Sequence, residues 1–349
     1  MQLDVLAPTD ASAWSEALAA AGAHDIYHEA WYHQLAAANG EGRPELVVAA
    51  LDGHTLALPV LFRTLDPGLT GGVAGLEDAT SVYGYPGPVG AADADAETIA
   101  ALDQAVRDYL RARGTVSLFS RLHPLLDQLR LLRDPTQVIA AGATVSIDLR
   151  PTEAAQWTNV RSGHRNGINR LRRAGFTCER RGIEALDVFL EIYEATMRRL
   201  DAHSYYLFPR HHYEALLDPA RGAMELFVVV DPEGTPCAVG LFSLRCGIAQ
   251  YHLSGATLEH RRHAPTILML DEARRWAAAS GAMRLHLGGG VGGAQDSLFD
   301  FKGGFGDGRH VFHLWNWIAR PEVYGELDAM RRARTPEPSA TFFPSYRAP

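Results

Sequence analysis

Hydrophobic positions along the 349-residue chain change their period repeatedly, and each change marks an element. Residues 10–39 carry apolar side chains at helical spacing after an Asp start signal, which predicts two helices. Residues 45–65 read as two apolar runs on either side of Asp52-Gly53, a strong hairpin-turn dipeptide. A Gly/Pro loop, SVYGYPGP, follows at 81–88. The pattern then predicts a helix over 95–114, a strand over 115–124, a further short helix and a strand over 143–150. The second half repeats this plan without obvious sequence identity. A helix over 153–175 leads to a strand over 176–182, a helix over 185–202 and another within 205–217. Strands over 224–231, 236–247 and 248–257 form a meander whose first turn is Pro232 to Gly234. A helix over 265–281 and a strand over 282–289 complete it.

Length and composition fit two soluble α/β domains. The chain exceeds the usual size of one domain, and two of about 150 residues are expected. Hydrophobic residues make up 47% and charged residues 21%, ordinary values for a globular protein. No apolar run reaches the roughly 20 residues of a membrane span. The N-terminal stretch MQLDVLAPTDASAW lacks the basic start and apolar core of a signal peptide, so the expected location is the cytoplasm. Cys178, Cys237 and Cys246 are odd in number and form no CxxC pair, which argues against a disulfide framework or a zinc site.

Charge draws attention to two places. Lys302 is the lone lysine among 33 basic side chains, so wherever arginine serves, arginine stands. An ammonium is a compact point charge that fits where a planar guanidinium cannot, and the run FDFKGGFG around Lys302 is therefore a candidate site. The opposing reading makes Phe299, Phe301 and Phe305 alternating strand core and the glycines turn residues. The second place lies between Glu153 and Glu179. That interval holds no acidic residue but carries Arg161, Arg165, Arg170, Arg172, Arg173 and His164. The net charge of −8 disfavours a generally nucleic-acid-binding surface, yet Arg161, Arg165 and Arg172 fall on one helical face and are candidate phosphate ligands. The alternative is a solvated helix face.

Helices, an antiparallel meander, then a helix and a strand is the order of a GNAT-type acyltransferase unit. YGYPGP at 83–88, YHLSGA at 251–256, the strand ending in Gly288 to Gly290, and FKGGFG at 301–306 together resemble the FemABX family. Its members are double-GNAT transferases that move an amino acid from an aminoacyl-tRNA onto an amine. The resemblance implies two tandem GNAT-like domains of α/β (α+β) class, with mixed, largely antiparallel sheets flanked by helices. Residues 1–149, completed by 320–349, would form the first domain and residues 150–319 the second. It implies aminoacyl-tRNA as donor, an amine-bearing peptide or peptidoglycan precursor as acceptor, and no cofactor or metal. Lys302 would contact the oxyanion or the terminal phosphate and ribose of the tRNA, while Phe301 stacks a base. Arg161, Arg165 and Arg172 would bind tRNA. Tyr251 and Ser254 would face the acyl group, Tyr83 and Tyr85 the acceptor, and Arg121 and Arg199 an acceptor carboxylate or phosphate. Asp148, His164, His252 and His286 are candidate bases, although substrate-assisted deprotonation needs none.

Two departures shape the expectation. GNAT enzymes bind the pyrophosphate of acyl-CoA with [RQ]xxGx[GA], and the equivalent stretch here is RRHAPT at 261–266. Alanine replaces the first glycine and Pro265 removes an N–H, which disfavours CoA. Cell-wall members of the family use a lysine near the end of the early helix for a UDP-muropeptide; WYHQLA at 31–36 has none. The alternatives to a tRNA-dependent transferase are an N-acyltransferase using acyl-CoA or acyl-carrier protein, and a non-catalytic binding module that kept the fold.

Overall fold

The computed structural model describes residues 1–68, 70, 72–90, 92–201, 207–221, 224–334 and 342–348. The chain forms two compact units, residues 1–141 with 311–349 and residues 142–310. These boundaries differ from 149/150 and 319/320 because strands β7 (Val138–Asp148) and β13 (Gly308–Ile318) each run across a division.

In the first unit β1 (Gln2–Leu6), α1 (Ala11–Ala21) and α2 (Ala30–Ala38) precede the hairpin β2 (Arg43–Leu51) and β3 (His54–Thr64). Asp10 caps α1 by accepting from Ala13 N at 3.1 Å. Asp52 and Gly53 both take positive φ, 51° and 84°, as the two-residue turn requires. Then come β4 (Glu77–Thr80), the short β5 (Val89–Gly90), α3 (Ala96–Ala112) and β6 (Thr115–Leu122); after β13, α10 (Pro321–Arg334) closes the unit. The strands lie in the order β1-β2-β3-β4-β6-β13. Every neighbouring pair is antiparallel except β4 with β6, which α3 joins as a parallel crossover.

The second unit contains α4 (Glu153–Asn159), α5 (Ser162–Arg173), β8 (Thr177–Arg181), α6 (Leu186–Arg199) and α7 (Arg210–Leu216). The meander β9 (Met224–Val230), β10 (Pro236–Arg245) and β11 (Ile248–Ala256) follows, then α8 (Thr266–Ala279), β12 (Arg284–Gly288) and α9 (Ser297–Gly303). Its order, β8-β9-β10-β11-β12-β7, repeats the first unit pair for pair. Again the fourth and fifth strands, β11 and β12, are the parallel pair, and α8 is their crossover. The sixth strand of each sheet comes from the far side of the chain, so the repeat is architectural and leaves little trace in the sequence.

One expectation and one alternative change. The helix expected over 153–175 is two helices, because Val160 and Arg161 are extended (ψ 130° and 139°). Val160 buries its side chain in the core there, and Arg161 N bonds to Gly304 O at 2.7 Å instead of continuing α4. The FDFKGG run is helix, which removes the opposing reading of it as alternating strand core. Asp296 caps α9 through Phe299 N, and Phe299 and Lys302, three apart, are its buried side chains. Of the helix expected within 205–217, Tyr205 and Tyr206 lie outside the described residues, as do 335–341 and 349 of the C-terminal stretch.

Candidate active site

The second unit's parallel pair supplies the setting. β11 and β12 are in register at Ile248–Arg284, Ala249–Leu285 and Gln250–His286, and the ladder ends there although β11 continues to Ala256. Beyond the split β11 leans on α6. Ala256 N donates to Thr196 Oγ1 at 3.1 Å, and a Cβ on Gly255 would come within 2.8 Å of Ile192 O, so only glycine permits the approach. Arg199, exposed at the end of α6, donates to Ala256 O at 3.1 Å. β12 ends at Gly288, whose φ of 75° turns the chain away.

Lys302 sits where the strands part. Its Nζ donates to Gly289 O at 2.7 Å and lies 5.8 Å from the centre of the Tyr251 ring, on the first residue of β11 beyond the ladder. The side chain is 8% exposed, and burial lowers its pKa to about 8, opposed by the nearby Asp296 carboxylate. At pH 7 it is mainly an ammonium. Asp296 also fixes the site's geometry, since Oδ1 accepts Phe299 N at 2.9 Å and Oδ2 accepts Val291 N at 3.0 Å. One carboxylate thus starts α9 and anchors the glycine loop that offers Gly289 O. Half-buried Tyr251 stacks on Phe242 with ring centres 5.0 Å apart and donates its hydroxyl to Ser254 Oγ. Burial raises the Tyr251 phenol to about 12, so it stays a hydrogen-bond donor at neutral pH.

The start of α5 holds α9 in place. Arg161 Nη2 donates to Asp300 O at 2.5 Å, and His164 Nε2 lies 3.0 Å from Phe301 O. A carbonyl only accepts, so that nitrogen carries the proton. The His164 ring packs against Phe301 and Phe305 at 5.3 and 4.7 Å. The glycines around Phe305 admit neighbouring protein atoms at close range. A Cβ on Gly303 would meet Arg309, one on Gly304 would meet Arg161 and His164, and one on Gly306 would meet the backbone of β7.

The other sequence candidates fall in separate settings. Arg165 donates to Thr158 O at 2.7 Å, and Arg172 bridges Asp271 at 2.7 Å and Glu272 at 2.5 Å. Asp148 is held by Arg150, which lowers its pKa to about 2. His286 Nδ1 lies 2.7 Å from Gln250 Oε1, and burial pushes His252 down to about 3, so His252 is a neutral imidazole at neutral pH. In the first unit Tyr85 meets Tyr27, His123 and Phe312 edge-on at 6.0, 5.9 and 5.7 Å. Tyr83 is half-buried in the same loop, and the Arg121 guanidinium lies 5.9 Å from the Phe119 ring. The structure therefore gathers Lys302, Tyr251 and Ser254 into one place, with Phe301, Arg161 and His164 behind α9. Sequence reading passed over Asp296. Its signal was present, an Asp directly before the helix that carries the lone lysine.

The 261–266 loop argues against a pyrophosphate. Ala264 adopts the left-handed conformation (φ 52°, ψ 54°) and Pro265 has no N–H to offer. The N–H groups of Arg261, His263, Ala264, Ile267 and Leu268 are already bonded to nearby carbonyls. Few donors remain for phosphate oxygens. Among the described residues, no helix is long and apolar enough to cross a membrane.

A family model described as an acetyltransferase (GNAT) domain matches residues 158–302. No curated protein matches the chain in sequence. Among solved structures, FemX is similar with a TM-score of 0.71 at 13% identity, covering 93% of this chain and 99% of that one. L-PGS from Bacillus licheniformis gives 0.57 at 15% identity, covering 89% and 92%. The C-terminal domain of a putative lysylphosphatidylglycerol synthetase from Agrobacterium fabrum gives 0.54 at 12%, covering 90% and 95%. The chain is FemABX-like in fold, built from two GNAT-like units.

Proposed function

We propose that this protein transfers an amino acid from a charged tRNA to an acceptor amine in the cytoplasm, forming an amide bond. The observation that carries the reading is Lys302, a nearly buried ammonium beside the end of the β11–β12 ladder, within the unit that matches a GNAT acetyltransferase domain. An aminoacyl ester is already activated. The enzyme's task is to align the amine with the ester carbonyl and to stabilise the oxyanion. As the C–N bond forms, the carbonyl oxygen gains charge; as the C–O bond to ribose breaks, one proton passes from the amine to the departing oxygen. In this reading Lys302 donates a charged hydrogen bond to the oxyanion or to the terminal phosphate, and the Tyr251–Ser254 pair borders the acyl group. The acceptor class is a peptide, a natural-product intermediate or a peptidoglycan precursor.

A second reading, acyl-CoA-dependent N-acylation, is favoured by the description of the matching family model and disfavoured by the saturated, proline-containing 261–266 loop. One experiment separates them. The protein is incubated with a pool of charged tRNAs and, in parallel, with acetyl-CoA, each with candidate amines. Lys302-dependent loss of the aminoacyl ester with formation of an amide is expected. Release of CoA thiol without any turnover of charged tRNA would replace the first reading by the second.

A further inference from the structure

The arginine-rich helix α5 has two polar faces, and they differ in what they touch. Successive residues of a helix turn by about 100°. Gly167, Ile168 and Leu171 therefore share the buried side, with Gly167 tight against Ile267 of α8. Arg161, Arg165 and Arg172 share a flank, where each donates to a protein acceptor and Arg172 has its charge balanced by two carboxylates. Asn166, Asn169, Arg170 and Arg173 form a third arc, opposite the buried side. All four are exposed. Arg170 and Arg173 make no ion pair among the described residues; Arg173 Nε donates to Asn169 O at 3.2 Å. Asn166, Asn169, Arg172 and Arg173 line a surface cavity of about 420 Å3.

We infer that this outward arc of α5 binds the phosphate backbone of the donor RNA, with Arg170 and Arg173 as the charge-bearing contacts and Asn166 and Asn169 as neutral donors beside them. The inference rests on the aminoacyl-tRNA reading and gives that donor a track. Two unbalanced guanidinium groups beside amide donors, on a stretch without carboxylates from 154 to 178, complement a polyanion. The helix also sets the distance. Its start bonds to the Lys302 helix through Arg161 and Gly304, and Arg173 lies twelve residues further, about 18 Å at 1.5 Å per residue. A strand whose aminoacylated end reaches Lys302 would meet the arc several nucleotides upstream. A donor consisting of the aminoacylated terminal nucleotide alone would not reach it.

The test uses the full chain and the double variant Arg170→Glu, Arg173→Glu. Binding of bulk tRNA is measured between 50 and 200 mM salt, and transfer is measured from charged tRNA and from an aminoacylated mononucleotide. The variant should bind tRNA at least tenfold more weakly, and the slope of log affinity against log salt should fall by roughly one to two. Transfer from the short donor should match wild type. If the glutamates prevent folding, Arg170→Gln, Arg173→Gln should give the same loss of slope. Unchanged affinity and slope in a folded variant, with wild type still using charged tRNA, would overturn the inference and leave the functional reading intact. A wild-type protein that neither binds nor uses charged tRNA would overturn both.

Discussion

The two units use the same strand pair in opposite ways. In the first unit the chain leaving β4 stays on β6. Ser81 N bonds to Phe119 O at 2.9 Å and Gly87 N to Arg121 O at 3.2 Å, so the parallel seam is stitched shut past the end of the strand. The loop is then sealed by close packing. A Cβ on Gly84 would overlap the Tyr27 ring and one on Gly87 would overlap Gln128. Behind it His123 Nε2 lies 3.0 Å from Asp25 Oδ2 while Nδ1 accepts Leu125 N, so the pair is a buried strut. In the second unit the seam stops after three residue pairs and a lysine occupies the gap. The repeated architecture is closed by backbone hydrogen bonds in one unit and holds a desolvated charge beside the end of the ladder in the other. Strain and burial of this kind are tolerated where function requires them.

The largest effect that would break this contrast is on the sealed side. Gly84 has φ 115° and no room beside Tyr27, so Gly84→Ala combines backbone strain with overpacking. A loss of about 3–5 kcal/mol in denaturant unfolding is expected. A loss below about 1 kcal/mol would mean that the loop relaxes freely and the seam is not sealed.

Next comes the open side. Lys302→Ala and Lys302→Arg should each lower turnover about 100-fold, the scale of one lost oxyanion donor, with the fold retained. The arginine variant is the sharper of the two, since it preserves charge and changes shape. Because the ammonium is lost as pH rises through about 8, wild-type activity should fall above that pH, and the fall should be missing from the residual activity of Lys302→Arg. Near-normal turnover of the arginine variant would make the lone lysine an accident of composition.

Much of this was legible in the chain, for physical reasons that can be named. The hairpin at Asp52-Gly53, the amphipathic helices and the meander are local patterns, and the chemical singularity of Lys302 is visible by inspection. The break at Val160-Arg161 was not legible because neither Gly nor Pro marks it. What ends α4 is a carbonyl at Gly304, far along the chain. Alternating phenylalanines left a strand open as the alternative for the FDFKGG run, whereas the cap at Asp296 and the burial of Phe299 with Lys302 make it a helix. His164 and Arg161 reach the site through hydrogen bonds to residues 137 and 139 positions away, which no local pattern encodes. Likewise, the sixth strand of each sheet is recruited from a distance.

A desolvated lysine should cost stability, and the sign with pH follows. Lys302 has a pKa of about 8 in the folded protein against 10.5 as the ordinary value, so the folded state holds fewer protons between those limits. Stability from this group therefore rises with pH across about 8 to 10.5, and the full penalty applies below 8. Lys302→Met should remove that penalty while losing the bond to Gly289 O, for a net gain of about 2 kcal/mol at pH 7 that disappears near pH 10.5. Denaturant unfolding at the two pH values measures it. A variant that is less stable than wild type at pH 7 would show that the lysine is a structural tie, and the contrast between the seams would lose its basis.

The smallest expected effect tests the same contrast at a single backbone position. Gly288 ends β12 with φ 75°, as Gly84 bends the sealed loop with φ 115°, so both positions strain any other residue. They differ in space. A Cβ on Gly288 would meet only Lys302 Nζ, at 3.4 Å, an ordinary contact with the end of a flexible side chain. Gly288→Ala should then cost about 1 kcal/mol, the price of the left-handed conformation alone, several-fold less than Gly84→Ala. Its effect on transfer should exceed its effect on stability, because the added methyl group borders the ammonium and stiffens the turn that presents Gly289 O. Equal destabilisation by the two alanines would mean that the second seam is as closely packed as the first, and that Lys302 fills a gap rather than waits in an opening.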